Sequence, residues 1–138
     1  MLNHITIMGR MTRDPELRRT ATGVAVTNFA IACERDIPNK ETGTRETDFL
    51  ECVAWRGTGE FVEKHFKKGS MAVVSGRLQI RDWTDKDGNK HKAAEVVADN
   101  VYFGDSKKDS VSTPSFNQPA TPAQDFQQIN ISDEQLPF

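Results

Sequence analysis

Residues 71–83 read MAVVSGRLQIRDW and residues 91–103 read HKAAEVVADNVYF, with the dipeptide Asp87-Gly88 between them. Asp-Gly is a strong signal for a tight hairpin turn, and both flanking segments have the length and apolar content of β-strands. We therefore predict that the two segments form a long antiparallel hairpin.

Three further strands are predicted upstream of this hairpin. They cover residues 3–13, 24–33 and 49–55, and a short excursion over residues 14–23 separates the first two. In the first strand, Gly9 lies where a barrel strand could bend sharply. Five strands in about 100 residues predict an all-β domain.

A short helix is predicted over residues 59–68, between the third and fourth strands. Four residues at helical spacing form its apolar side: Phe61, Val62, His65 and Phe66. Gly69 suits the position just after the helix C-terminus. Three strands, a helix and two strands is the element order of the OB-fold, a five-stranded Greek-key barrel. Other small barrels, such as SH3-like ones, also have short strands and tight turns, so element order alone leaves them open.

Side-chain phase separates two faces on the strand over residues 49–55, because successive side chains of a strand point to opposite sides. One side is small and apolar and is expected to face the core: Leu50, Cys52 and Ala54. The other side includes Glu51, whose charge is costly to bury, so we expect it to face water. That solvent side also carries the aromatic residues Phe49 and Trp55.

The strand over residues 71–83 repeats this pattern. The residues expected in the core are Ala72, Val74, Leu78 and Ile80. The opposite phase contains Ser75, Arg77, Gln79, Arg81 and Trp83. An outward tryptophan in line with arginines is one way to stack a base and hold its phosphate.

Three outward aromatic residues interleaved with arginines favour nucleic-acid binding over cover by a hairpin, a helix or a partner subunit. Bases in a duplex are not exposed for stacking, so this face suits single strands. The predicted stacking residues are Phe49, Trp55 and Trp83. The predicted phosphate contacts are Arg10, Arg35, Lys40, Arg56, Lys68, Arg77 and Arg81.

Charge and composition divide the chain near Gly104. Residues 1–104 carry 16 Lys and Arg against 15 Asp and Glu, whereas residues 105–138 carry 2 against 5. Residues 105–132 are rich in Ser, Thr, Asn, Gln and Pro, and such a segment buries too little apolar surface to fold. We therefore predict a folded domain over residues 1–104 followed by a disordered linker.

The last six residues, DEQLPF, combine acidic side chains with a terminal phenylalanine. An aromatic residue that ends a polar arm suggests an anchor for the pocket of another protein, with the acidic residues steering it to a basic rim. The predicted protein-binding residues are Asp133, Glu134, Leu136, Pro137 and Phe138.

Catalytic and metal-binding motifs are not found in the sequence. The two cysteines, Cys33 and Cys52, and the three histidines are scattered, and there is neither a phosphate-binding glycine loop nor a nucleophile elbow. We predict no cofactor, no metal, no enzyme activity and two free thiols. No apolar run approaches the ~20 residues of a membrane span, and no secretory signal precedes the domain, so a cytoplasmic protein is expected.

Five short motifs carry a resemblance to a known family. They are residues 3–10 (NHITIMGR), 47–55 (TDFLECVAW), 67–70 (KKGS), 76–78 (GRL) with Trp83, and 133–138 (DEQLPF). With these motifs the chain resembles the bacterial-type single-stranded DNA-binding protein family. The resemblance implies an OB-fold and binding of single-stranded DNA, with little sequence preference, during replication, recombination and repair. It also implies a homotetramer, recruitment of replication and repair proteins by the terminal peptide, and association with the nucleoid or, for a bacteriophage protein, the host cytoplasm.

The chain departs from the family at three positions on the DNA-binding side. The family stacks bases on four aromatic residues, of which three match here, and the fourth position corresponds to Ile37. Glu51 and Asp82 place carboxylates where they oppose phosphate. Two other functions stay open from the residues alone: an OB-fold assembly factor that mainly binds protein, and an RNA-binding domain of the cold-shock kind.

Overall fold

The computed structural model describes residues 1–105, which form six strands and one helix. The elements are β1 (Ile5–Met11), β2 (Glu16–Arg19), β3 (Ala25–Glu34), β4 (Thr47–Trp55), α1 (Arg56–His65), β5 (Met71–Thr84) and β6 (Lys90–Phe103). The predicted terminal peptide (133–138), and the predicted linker (105–132) beyond its first residue, lie outside the described residues.

One sheet of order β1-β5-β6-β4-β3-β2 contains every described strand, and an additional pairing of β1 with β3 closes it into a ring. The edge of β3 that faces away from β4 is shared, because its first half pairs with β2 and its second half with β1. β1 and β2 therefore act as two parts of one interrupted strand. The ring of five strands with one short helix confirms the predicted OB-fold.

The strand β2 was not predicted, because residues 16–19 contain one leucine among three charged residues and show no apolar alternation. It pairs with β3 through a turn in which the Thr20 N–H donates to the Val24 carbonyl oxygen at 2.9 Å. Within residues 1–105, α1 is too short and too polar to cross a membrane.

The helix α1 begins and ends three residues before the predicted bounds. It stops at His65 because Phe66 adopts an extended conformation (φ −116°, ψ 151°), and the Phe66 side chain is buried in the core. Gly69, with φ 88°, lies in the following turn, so its assignment as the residue just after the helix was wrong.

The core fills the barrel and is closed by α1 at one end. Its largest fully buried apolar side chains are Phe29, Met11, Ile31, Val62, Val74 and Val96. The helix lies close to the sheet at Gly59, where a Cβ atom would meet the Ala54 carbonyl oxygen at 2.5 Å. The buried Thr27 hydroxyl donates to the Gly59 carbonyl oxygen at 2.8 Å, which fixes α1 against β3.

Both cysteines carry free thiols, as predicted. Cys52 lies in the core, and burial raises the pKa of its thiol to about 12, so it stays protonated at neutral pH. The half-buried Cys33 thiol donates to the Met8 carbonyl oxygen at 3.3 Å, and burial raises its pKa too.

The prediction that Leu78 and Ile80 lie in the core was wrong, since their exposed fractions are 40% and 54%. Their phase is that of the buried Val74, but β1 pairs with β5 only as far as Gly76. Beyond Gln79 and Glu95, β5 and β6 pair only with each other among the described strands and form a two-stranded hairpin. A bulge lies where the pairing of β5 with β1 ends, because Ser75 pairs with Asn100 while Gly76 pairs with Ala98.

Gly76 is a sensitive position in this bulge. A Cβ atom there would lie 2.0 Å from the Val97 carbonyl oxygen, so Gly76→Ala must displace backbone. We expect it to lower the free energy of unfolding by about 1–3 kcal/mol. Gly57→Ala in α1 is the matched control, because nothing lies within 4 Å of its Cβ, and it should be neutral or slightly stabilising. Urea denaturation compares them, and equal stabilities would contradict the close approach.

Candidate nucleic-acid interface

Strand pairing aligns outward side chains into rows across one side of the sheet, because directly paired residues point the same way. One row runs through Glu16, Asn28, Val53, Val97 and Arg77. The next row runs through Ala30, Glu51, Glu95 and Gln79. We call this side, with Phe49 and Trp55 of β4 and Arg81 and Trp83 of β5, the outer face.

All three predicted stacking residues are exposed on the outer face. The exposed fractions are 71% for Phe49, 45% for Trp55 and 48% for Trp83. Phe49 and Trp55 lie at opposite ends of β4, whereas Trp83 lies near the tip of the β5–β6 hairpin. The outer face therefore offers aromatic rings at three separate places.

A groove of about 400 Å³ runs beside Trp55. Its lining residues are Val26, Asn28, Val53, Trp55, Arg77, Gln79, Arg81, Glu95 and Val97. Val53 and Val97 have outward phase but are buried beneath their longer neighbours, so they form an apolar floor. The groove suits a planar ring that carries an anionic group, because the ring can stack on Trp55 and the arginines can bind the anion.

Two of the predicted phosphate contacts, Arg77 and Arg81, border this groove. Arg77 is exposed and forms no ion pair with residues of the described domain. Arg81 lies 4.0 Å from the partly buried carboxylate of Glu95, a weak contact that leaves its guanidinium open to another anion.

Glu51, one of the departures from the family, is paired with a residue that the sequence analysis missed. Arg13 donates two hydrogen bonds to the Glu51 carboxylate, at 2.8 and 3.3 Å, and this contact raises the pKa of the guanidinium. The two residues are 38 positions apart, so no local pattern indicates the pair. The charge of Glu51 is thus balanced within the outer face.

The prediction that the Asp82 carboxylate lies on the DNA-binding side was wrong. It pairs with Lys92, and the alternation of β5 turns it to the side of the hairpin opposite Trp83. Its carboxylate therefore does not share the side that carries Trp83.

Among the predicted phosphate contacts, Arg35 forms the largest number of ion pairs within the described residues. Its guanidinium donates to both carboxylate oxygens of Asp48, at 2.8 and 2.9 Å, and also to Glu46. The hydrogen bond from Arg35 lowers the pKa of Asp48. Lys40 lies in the same loop and is exposed, as is Ile37, the position where the family has its fourth aromatic residue.

The remaining predicted cations lie around the barrel. Arg10 pairs with Ala32, which pairs with Phe49, so Arg10 belongs to the row of that aromatic ring. Arg10 also donates to the Gly69 carbonyl oxygen at 3.1 Å, next to Lys68. Arg56 follows Trp55 with a left-handed φ of 55°, where the chain leaves β4 for α1.

His91, on which Trp83 stacks, is another residue of the outer face that the sequence analysis missed. The ring centroids of Trp83 and His91 are 4.5 Å apart with an interplanar angle of 26°. His91 is in turn hydrogen-bonded to Asp85, with 2.8 Å between His91 Nε2 and Asp85 Oδ2. The predicted turn at Asp87-Gly88 would have placed residue 91 opposite residue 83 to within one position.

The sequence is similar to known proteins over most of its length. The model of the single-strand binding protein family matches residues 2–104. Single-stranded DNA-binding protein 2 of Listeria monocytogenes is 44% identical over 117 residues, which is 85% of this chain and 72% of that protein. The single-stranded DNA-binding protein of Oceanobacillus iheyensis is 49% identical over 107 residues, 78% of this chain and 66% of its own length. That of Halalkalibacterium halodurans is 38% identical over 169 aligned positions that cover both chains.

The matched region, residues 2–104, contains all six strands, α1 and the whole outer face. Within residues 1–105, no group of His, Cys, Asp or Glu is arranged to hold a metal ion. The family description and the names of the relatives describe binding proteins rather than catalysts. Because the family model matches residues 2–104 of the 138 residues, the chain belongs to the single-strand binding protein family.

Proposed function

We propose that this protein binds single-stranded DNA on its outer face with little sequence preference. The observation that carries the proposal is the exposure of Phe49, Trp55 and Trp83 on one side of the sheet, together with Arg77 and Arg81. Every base has a π face, so stacking on aromatic rings tolerates any sequence. The names of the relatives, which are single-stranded DNA-binding proteins, support DNA as the nucleic acid.

The outer face favours a single strand over a duplex. Its aromatic rings are fixed on a closed sheet or on the hairpin, and stacked bases inside a duplex cannot reach them. Arg10 near Phe49, and Arg77 and Arg81 near Trp55, provide cations for the backbone phosphates between stacked bases. RNA offers the same rings and phosphates, so matched DNA and RNA oligomers distinguish the two ligands.

We also propose that the protein works as a homotetramer. Met8, Val73 and Tyr102 form one row on the outside of β1, β5 and β6, and both Met8 and Tyr102 are more than half exposed. Leu78 and Ile80 expose further apolar surface on the hairpin. A partner subunit would remove this surface from water, which supports assembly.

The broader role proposed for the chain is to protect single-stranded DNA during replication, recombination and repair in the cytoplasm, at the nucleoid. The acidic peptide over residues 133–138 is proposed to recruit other proteins. It joins negative charge to the apolar residues Leu136, Pro137 and Phe138, a composition that suits a pocket with a basic rim.

Stacking predicts a fluorescence signal and a loss of affinity. Single-stranded DNA should quench the emission of Trp55 and Trp83, and each alanine substitution should weaken binding by about 1–3 kcal/mol. Thermal melting checks that the variants fold, and Glu63→Ala on the exposed side of α1 is the control. A folded Trp55→Ala variant with the affinity of the parent protein would remove that residue from the interface.

Charge on the outer face predicts a change in salt dependence. Glu51→Lys adds a cation and releases Arg13 from its ion pair, so it should tighten binding, most at low salt. Arg77→Ala should weaken binding and reduce the slope of log affinity against log salt by about 0.7.

Glu63→Lys provides the matched control for Glu51→Lys, because it makes the same change of charge on the exposed surface of α1. Titrations at several salt concentrations compare the variants. If Glu51→Lys tightens binding no more than Glu63→Lys, the effect belongs to net charge and the position of Glu51 has no special importance.

Deletion of residues 133–138 should separate the two proposed functions. We expect affinity for single-stranded DNA to be retained or slightly raised, because the removed segment is acidic. Capture of replication and repair proteins from a bacterial lysate should be lost, and Phe138→Ala alone should remove most of it. If the truncated protein captures the same set as the full chain, the peptide is not the recruiting element.

A further inference from the structure

The indole of Trp83 is covered on one side before any DNA is bound. Trp83 and His91 are directly opposite each other in the β5–β6 pair, and their rings stack with centroids 4.5 Å apart. Paired side chains on one side of a sheet lie close enough for such contact. Trp83 is nevertheless half exposed, so the side of the indole away from His91 is open to a second ring.

The imidazole of His91 is itself held by the hairpin turn. Asp85 Oδ2 lies 2.8 Å from His91 Nε2, and the hydrogen bond from His91 is the main cause that lowers the pKa of this carboxyl group. The other oxygen of Asp85 accepts the backbone N–H groups of Asp87 and Asn89, at 3.0 and 2.8 Å. A chain of contacts thus runs from the backbone of the turn through Asp85 and His91 to Trp83.

This support matters because the hairpin lies beyond the barrel core. From Arg77 to Thr84 each residue of β5 is exposed, so the described domain offers Trp83 no buried pocket in which to pack. A free indole would occupy several rotamers, and a base that stacks on it would have to select one of them. Ordering a side chain on binding lowers affinity by a factor of about two to ten.

We propose that His91 is a positioning residue for single-stranded DNA. Held by Asp85, it fixes the Trp83 indole with one side open, and a base stacks there to complete a base–indole–imidazole stack. This inference rests on the proposed function of the outer face, and it assigns a role to His91 that acts through Trp83. The neighbouring charges are Arg81 on the same side, Lys90 beside the turn, and the pair Asp82 and Lys92 on the opposite side.

The test compares His91→Ala with His91→Phe, which keeps a ring against the indole but loses the bond to Asp85. Both are made in the full chain and again with Trp55→Phe, which leaves Trp83 as its single tryptophan. Thr84→Ala is the control on the same hairpin. Affinity for a short DNA oligomer, the near-ultraviolet circular dichroism of Trp83 and the melting temperature are measured for each variant.

We expect His91→Ala to weaken binding about two- to tenfold and to reduce the circular dichroism of Trp83, because the indole is no longer fixed. His91→Phe should restore part of both signals, because a ring again packs against the indole but Asp85 no longer holds it. Thr84→Ala should change neither. The melting temperature should stay close to that of the parent protein in every variant.

Two results would overturn the inference while leaving the proposed function intact. One is a His91→Ala variant with parental affinity while Trp83→Ala weakens binding. The other is a His91→Ala variant that binds more weakly while the circular dichroism of Trp83 stays parental, which would assign the effect to something other than the position of the indole. Parental affinity in Trp83→Ala would instead remove Trp83 from the proposed interface, and the role of His91 with it.

Discussion

The pairing of β1 with β3 at Arg10–Ala32 and Met11–Ile31 is the contact on which the rest of the structure depends. It turns an open sheet into a ring and buries Met11 and Ile31 in the core. The two strands approach closely at Gly9, where a Cβ atom would lie 2.2 Å from the Ala32 carbonyl oxygen. A larger residue at this position would separate the strands and open the barrel.

Closure of the barrel also sets the charges of the outer face. Immediately after β1, the Thr12 N–H donates to the carbonyl oxygen of Ala30, the residue that pairs with Glu51. The next residue, Arg13, therefore reaches across β3 to the Glu51 carboxylate. The same backbone contact that completes the fold brings a cation to a site where an unpaired carboxylate would repel phosphate.

The outer face is consequently close to neutral, with Glu51 paired to Arg13 and Glu95 near Arg81. This agrees with the nearly equal numbers of acidic and basic residues over residues 1–104. A surface of this kind cannot depend on charge alone to hold a polyanion. Stacking on exposed rings is less sensitive to salt than phosphate contacts, and it suits a face on which several cations already have partners.

The sequence predicted what depends on local alternation and missed what depends on long-range geometry. The phase of Trp55 and Trp83 follows from period two and was correct, because the direction of a side chain depends only on its own strand. The burial of Leu78 depends on where the barrel ends, which is set by pairing with other strands, and this prediction was wrong. The Arg13–Glu51 pair joins residues 38 positions apart, and no local pattern contains it. The position of His91 opposite Trp83 is partly predictable, because the location of a hairpin turn fixes cross-strand neighbours to within one residue.

The end of the barrel divides the outer face into two kinds of binding surface. Trp55 stands beside the buried floor of Val53 and Val97, so the packing of the barrel orders its surroundings. Trp83 lies on a hairpin with solvent on both sides, and its order must come from side chains of the hairpin itself. A directly opposite ring, held by a carboxylate that also caps the turn, supplies that order locally. The stack of Trp83 on His91 thus orders the indole on a hairpin that has no buried core to pack it.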